Sequence, residues 1–343
     1  MKRLLNTLYV TTPKSYLHHE GEAVVVRVNK QIRARIPLLT LQSIVCFEQV
    51  ACSPPLLGLC GRRKVQVAFF DRRGRFLARV QGPVSGNVLL RREQYRRADD
   101  LVLATDMARV MVGAKIANCR AVLQRAIRDR PQQASPRLGQ AVDQLGDCLK
   151  RLREAATDLG AVRGIEGEAA RHYFQVFDEL ILVDKDAFRF QERNRRPPMD
   201  RMNAILSFLY TLLAHDVTSA LEGVGLDPAV GFLHRDRPGR MGLALDMMEE
   251  FRPFLADRMA LSLVNLQQVR AKGFRVTETG AVRMDDDTRK ALLVAYQKRK
   301  QELIHHPFLD EKVEIGLLPH VQAMLLSRFL RGEADGYPPF VWK

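Results

Sequence analysis

The period of hydrophobic and polar positions along this 343-residue chain changes once. In the first part, short runs rich in β-branched residues partly alternate with polar ones: AVVVRV (23–28), IRARIPLL (32–39) and SIVCF (43–47). Such runs predict strands, because successive side chains of a strand point to opposite faces. KVQVAFF and RFLARV flank DRRG, which predicts a hairpin with Gly74 supplying the turn. Between these runs PPLLGLCG predicts a short helix with Pro54 near its start, where a missing N–H costs nothing. From about Asp99 the period becomes helical. LVLATDMARVMVGAKIANCRAVLQRAIR forms one helix, the polar DRPQQASPR a turn, and LGQAVDQLGDCLKRLREAATDL a second helix. A third is expected after Gly164 through AARHYFQVFDELI, and a long apolar one over NAILSFLYTLLAHDVTSALEG after the break at RNRRPPMD. The expectation is an α+β chain: an N-terminal β domain over 1–98 and a larger all-α-helical domain over 99–343.

Composition narrows the class. At 46% apolar and 27% charged residues the chain can bury a real core. No run approaches the ~18 consecutive apolar residues of a membrane span. The opening MKRLLNTLYVTTPKSY has too short an apolar run for a signal peptide and no small-residue cleavage site. The five cysteines are odd in number and include no CxxC pair, which speaks against a disulfide framework or a cysteine-based zinc site. A reducing cytoplasm is the expected setting.

Charge adds a functional hint. The net charge is +15, and residues 1–98 hold 18 Lys and Arg against 5 Asp and Glu, whereas the remainder is nearly balanced. A basic domain attracts phosphate backbones and releases their counterions on binding. A solvated basic surface or an acidic protein partner would show the same charge.

Three local sequences in the helical half carry candidate chemistry. In RGIEGEAARHYF, Glu166 lies between Gly164 and Gly167, so a metal ion or phosphate could come close. A helix-start glutamate favouring the helix dipole reads the same way. In GFLHRDRPGR, the loop residue His234 offers an imidazole, a common ligand for Mn and other transition metals. The His305–His306 pair is the only comparable histidine feature. In LALDMMEEFRP, Ala244, Met247, Met248 and Phe251 share an apolar stripe, with Asp246, Glu249 and Glu250 on the other side. Those acids are either an ordinary solvated face or, since neighbouring carboxylates repel, holders of Mg²⁺ or Mn²⁺. No nucleotide-binding glycine loop, nucleophile elbow or dinucleotide fingerprint is present. Carboxylates and an imidazole in a basic chain point towards metal-assisted phosphodiester chemistry. An inert DNA-binding assembly protein and a helical-bundle metalloenzyme for a small molecule are the rival classes.

These motifs, in their order along the chain, resemble the CRISPR-associated adaptation endonucleases, the Cas-one integrase family. The resemblance rests on GIEGEAARHYF, RRPPMDRMNAILSFLYTLL, GLDPAVGFLH and LALDMMEEFRP. LLNTLYVTT, SGNVLLRREQYR and YPPFVWK are similar to the subtype I-C branch. It implies an N-terminal β-sandwich followed by a helical catalytic domain, a homodimer, and a smaller Cas-two partner bridging two such dimers. It further implies metal ligation of Mg²⁺ or Mn²⁺ by Glu166, His234 and Glu249, with Asp246 as a nearby acid that either ligates or positions DNA. Tyr173 and Asn203 match family positions near the site. With Arg195, Arg196 and Arg240 they are candidate DNA contacts. The implied reaction is insertion of a foreign-DNA fragment into a CRISPR array by 3′-hydroxyl attack on a phosphodiester.

Overall fold

The computed structural model describes residues 6–71, 76–80, 82, 88–154, 158–234 and 237–342. The expected turn at Gly74 lies outside them. Contacts divide the chain into two units: Met1–Ser85 with Arg289–Glu302 and Glu314–Leu317, and Gly86–Thr288 with Leu303–Val313 and Leu318–Lys343. The division therefore falls ahead of residue 98 and returns part of a late helix to the first unit.

The first unit carries strands β1 (Asn6–Val10), β2 (Ser15–Glu20), β3 (Ala23–Val28), β4 (Gln31–Pro37), β5 (Leu41–Phe47) and β6 (Ala51–Cys52). Helix α1 (Pro54–Arg63) and strands β7 (Gln66–Phe70) and β8 (Phe76–Val80) follow. They make two mixed four-stranded sheets, ordered β1-β5-β7-β8 and β4-β3-β2-β6. In the second, β3 and β4 are joined through Asn29 and Lys30, both at positive φ, as a two-residue hairpin turn requires. Leu17, Val24 and Val26 from one sheet share a core with Ile44, Cys46 and Val67 from the other, and Leu56 and Cys60 of α1 close it. Ser53 caps α1 by accepting from the Leu56 N–H at 3.3 Å. The shared core is what makes the pair of sheets sandwich-like, in agreement with the expected architecture.

The second unit is helical. It begins with α2 (Val88–Asp99) and the 29-residue α3 (Leu101–Asp129), whose N-terminus is capped by Asp100. Then come α4 (Pro136–Glu154), α5 (Leu159–Gln175), the short α6 (Lys185–Phe188) and α7 (Arg201–Val224). By length and composition α7 could cross a membrane, yet 72% of its most apolar window is buried, as in a core helix. The chain continues with α8 (Gly242–Met248), a π-helical stretch over Arg252–Asp257, and α9 (Arg258–Asn265). Two small antiparallel pairs interrupt the helices: β9 (Phe274–Val276) with β10 (Val282–Met284), and β11 (Leu303–His306) with β12 (Glu311–Glu314). Helices α10 (Asp286–Lys300) and α11 (Leu318–Leu330) complete the chain, and residues 289–300 of α10 count to the first unit. Helix α3 packs against both α4 and α5, and α7 against α8 and α11.

One element starts elsewhere than the pattern suggests. Helix α5 begins at Leu159, capped by Asp158 accepting from Ala161 N–H at 2.9 Å. Glu166 is thus in the helix body and not at its start. Glycines 164 and 167 punctuate the sequence, but a helix that packs on two neighbours tolerates about 1 kcal/mol for each.

Leu17 is fully buried between the sheets. Replacing it with Ala should cost about 2–5 kcal/mol, read as an earlier urea transition of the first unit by circular dichroism. An unshifted transition would contradict the shared core.

Candidate metal and phosphate site

Lys115 explains how three helical segments meet. It lies in the apolar stripe of α3 formed by Met107, Met111, Cys119 and Val122, and its side chain is only 10% exposed. Its ammonium pairs with Glu166 Oε1 of α5 and lies 2.8 Å from Glu249 Oε2, just past α8. Two of the predicted ligands, 83 positions apart in the chain, therefore converge on one positive charge. Arg252, three residues on, places Nη1 2.7 Å from Glu249 Oε1. Glu249 is 2% exposed, and burial alone would push its pKa up. Arg252 and Lys115, with a smaller share from the His234 imidazole, outweigh burial and hold the carboxyl at about 2. The reciprocal effect keeps Lys115 charged: burial acts against the ammonium, but Glu249 and Glu166 raise its pKa overall.

His234 is held by Asp246. The fully buried Asp246 accepts from three successive backbone N–H groups: Phe232 at 2.6 Å and Leu233 at 3.0 Å on Oδ2, and His234 at 3.0 Å on Oδ1. His234 Nδ1 also lies 2.7 Å from Oδ1. Because a carboxylate only accepts, the ring donates through Nδ1 and presents Nε2 as its lone-pair donor. The loop is tied from its other side by Arg163 of α5, whose Nη2 donates to Leu233 O at 2.7 Å. This packing needs two glycines. A Cβ at Gly231 would meet Asp246 Oδ2 at 2.7 Å, and one at Gly242 would strike His234 O and, at 2.7 Å, Ala229 O.

Asp246, Glu249 and Glu250 are all buried, which rules out the solvated-face alternative. Each faces a different partner. Glu250 turns from Lys115 towards the chain end, accepting from Tyr337 OH at 2.6 Å, Phe340 N–H at 2.8 Å and Gln322 Nε2 at 3.0 Å. Burial raises its pKa to about 7, against those three hydrogen bonds. Asn118, one turn along α3 from Lys115, donates to Glu250 O and Phe340 O and accepts from Trp342 N–H. The segment from Tyr337 to Trp342 is thereby anchored beside the site. Nothing in the motifs pointed to Lys115 or Asn118. The available signal was polar residues in an otherwise apolar helical stripe.

The candidate DNA contacts fall into two groups. Arg195 and Arg196 are exposed, and Arg240 is half-buried. Burial lowers the Arg240 pKa; Asp246 opposes this, while Arg237, Arg195 and Arg163 add to it as like charges. Arg240 is thus near like charges, one of which, Arg163, donates to the His234 loop at Leu233 O. Tyr173 and Asn203 do not reach the surface. Tyr173 is 1% exposed, in ring contact with Phe174 and Phe177. Asn203 is fully buried and bonded to Arg193, Glu192 O and Asp200.

The donor atoms of Glu166, Glu249 and His234 are not the tightest set of potential ligands. Among the described residues, the group whose donor atoms all lie within 4.8 Å of one another is Cys148, Glu168 and His172. All five cysteines are free thiols.

A β-sandwich-like unit followed by a helical unit, with paired acids on a lysine and an Asp-held histidine, can be compared with known proteins. Residues 8–298 match the family model for CRISPR associated protein Cas1. The chain is 57% identical, over the full length of both, to the CRISPR-associated endonuclease Cas1 1 of Chlorobaculum tepidum. It belongs to the Cas1 family. In fold it matches a CAS1 protein from Thermotoga maritima with a TM-score of 0.82 at 23% identity, over 98% of this chain and 100% of that one. It also matches a chain of a Cas6-RT-Cas1–Cas2 complex with a TM-score of 0.82 at 24% identity, over 98% of this chain and 36% of that one.

Gly242→Ala should lower stability by about 1–3 kcal/mol, since backbone oxygens cannot move aside as a side chain can. Thermal unfolding checks this, and an unchanged midpoint would contradict the close loop packing.

Proposed function

We propose that this chain is a metal-dependent DNA endonuclease and strand-transfer integrase of CRISPR adaptation, of the subtype I-C kind. In this reading it inserts DNA fragments into a CRISPR array by 3′-hydroxyl attack on a phosphodiester. The observation that carries the proposal is the meeting of Glu166 and Glu249 at one cationic centre, with His234 held by Asp246, one turn before Glu249. The names of the full-length relatives, CRISPR-associated endonucleases, support the same activity.

The donor set fits a divalent cation. Two carboxylates already gather around a positive charge, the Lys115 ammonium standing where a cation would be held. Glu166, Glu249 and His234 Nε2 would hold Mg²⁺ or Mn²⁺, which when bound polarises the target phosphate and neutralises charge on its oxygens. Asp246 acts as a positioning residue, since its carboxylate is already engaged with the His234 loop. Arg163, Arg195, Arg237 and Arg240 would bind the DNA backbone, and Arg196 extends that surface. The basic sandwich-like unit would contribute to dimer formation and add to the hold on DNA. The expected assembly is a homodimer, with a smaller Cas-two protein bridging two dimers. The resemblance of fold to a chain from a Cas1–Cas2 complex supports this partner.

Lys115 also favours a second reading, an assembly protein whose buried acids are simply neutralised by lysine and arginine. A Mn²⁺ titration separates the two, because only the enzyme reading requires binding that is lost in Glu166→Ala.

Glu166→Ala and His234→Ala should each lower strand joining of a labelled DNA fragment by at least about 100-fold with the fold intact, and EDTA should abolish it in the wild type. Wild-type rates from either variant, or activity surviving EDTA, would refute the site.

Gly164 and Gly167 allow a finer test. A Cβ at either meets nothing within 4 Å, so the fold itself does not demand glycine. Gly164→Ala should stabilise α5 by about 0.5–1 kcal/mol yet slow strand joining, because the clearance serves DNA. Unchanged joining rates in a stabilised variant would remove that role.

A further inference from the structure

We propose that Cys148, Glu168 and His172 form a second metal site, selective for Zn²⁺, that ties α4 to α5. It goes beyond the proposed reaction and does not depend on it. Glu168 and His172 are four residues apart on α5 and so share one face, while Glu166, two residues before Glu168, points about 200° away around the helix. The two clusters thus lie on opposite sides of α5. Cys148 projects from α4 and is 1% exposed, whereas Glu168 and His172 are half-buried and open the site to solvent.

The geometry is close to what one ion demands. Ligand atoms about 2.0–2.3 Å from a tetrahedral zinc ion lie roughly 3.3–3.8 Å from one another. The three donors here all lie within 4.8 Å of one another, so side-chain rotations that move them by about an ångström or less bring them to those separations. The pairing between the imidazole and the carboxylate is weak as it stands: His172 Nε2 is 3.6 Å from Glu168 Oε1, beyond hydrogen-bond length. His172 Nδ1 is buried with no hydrogen-bond partner among the described residues. Arg151 contacts both oxygens of Glu168 at 2.9 Å, but the pair is half-exposed and of a kind that contributes little. Each carboxylate oxygen keeps a second lone pair for the ion.

Donor chemistry sets the metal. A thiolate with an imidazole and one carboxylate oxygen suits Zn²⁺ and is a poor match for Mg²⁺, which prefers an all-oxygen octahedron. Burial, and then the neighbouring Glu168, raise the Cys148 thiol pKa, so the ion binds with release of the thiol proton to solvent. With three protein ligands, the fourth zinc position falls to water.

Co²⁺ is the direct probe, because a thiolate ligand gives it a near-ultraviolet charge-transfer band that oxygen and nitrogen ligands do not. The full chain titrated with Co²⁺ should develop this band at one equivalent and lose it on adding Zn²⁺. Cys148→Ser should abolish the band, His172→Ala should weaken the Co²⁺ binding that the band reports at least tenfold, and Glu166→Ala should leave the band and its midpoint unchanged. Loss in Glu166→Ala would assign the band to the other cluster and overturn the proposal. So would absence of the band in the wild type, or its survival in Cys148→Ser. His172→Ala keeps the test decisive should the buried serine variant fold poorly.

Discussion

The helical unit is organised around a charge problem. Glu166, Glu249, Lys115 and Arg252 come together in a region where Lys115 is 8% and Glu249 2% exposed. An unpaired charge removed from water costs several kcal/mol, and only close partners make the arrangement tolerable. Lys115 bridges the two acids and Arg252 takes the free oxygen of Glu249, so each carboxylate meets a cation. The segments that supply these residues, α3, α5 and the turn after α8, must therefore keep their relative positions. The surrounding packing enforces this: α3 contacts α5 and the π-helical stretch, and Asn118 locks α3 to the Glu250 backbone.

The same constraint bears on chemistry. Glu249 stays ionised despite its burial, so an acceptor oxygen is always available at the centre. A divalent ion taking up that position would have to move the ammonium of Lys115 aside. Lys115 thus has two effects: it keeps the acids assembled, and it competes with the ion they are proposed to hold. Asp246 solves a separate problem, fixing a loop histidine without consuming its Nε2. It does so through four contacts that also satisfy three consecutive backbone N–H groups.

Much of the fold was legible because period carries it. The run AVVVRV is β3, PPLLGLCG opens α1, and the uninterrupted helical spacing after Asp99 resolves into α3. Strands β1 and β2 are not legible, since NTLYV and SYLHHE mix polar residues and histidines into short runs; β1 takes its pairing from the distant β5, and β2 chiefly from the adjacent β3. The site was legible in its acids and histidine and obscure in what surrounds them. A helical wheel places Asp246, Glu249 and Glu250 opposite an apolar stripe and so suggests solvent. The chain instead covers that side with α3 and with the segment from Tyr337 to Trp342, a tertiary fact no local pattern encodes. Lys115 was hidden for the complementary reason: an amphipathic reading treats a lysine in an apolar stripe as noise, although a buried lysine almost always has an acid to meet.

The most direct test of the account is a crystal structure of the chain soaked with Mn²⁺, with the ion located by its anomalous scattering. One peak is expected, bounded by the carboxylates at 166 and 249 and Nε2 of the histidine at 234, with the lysine at 115 displaced. A lysine still bridging both acids, with no manganese peak beside them, would contradict it.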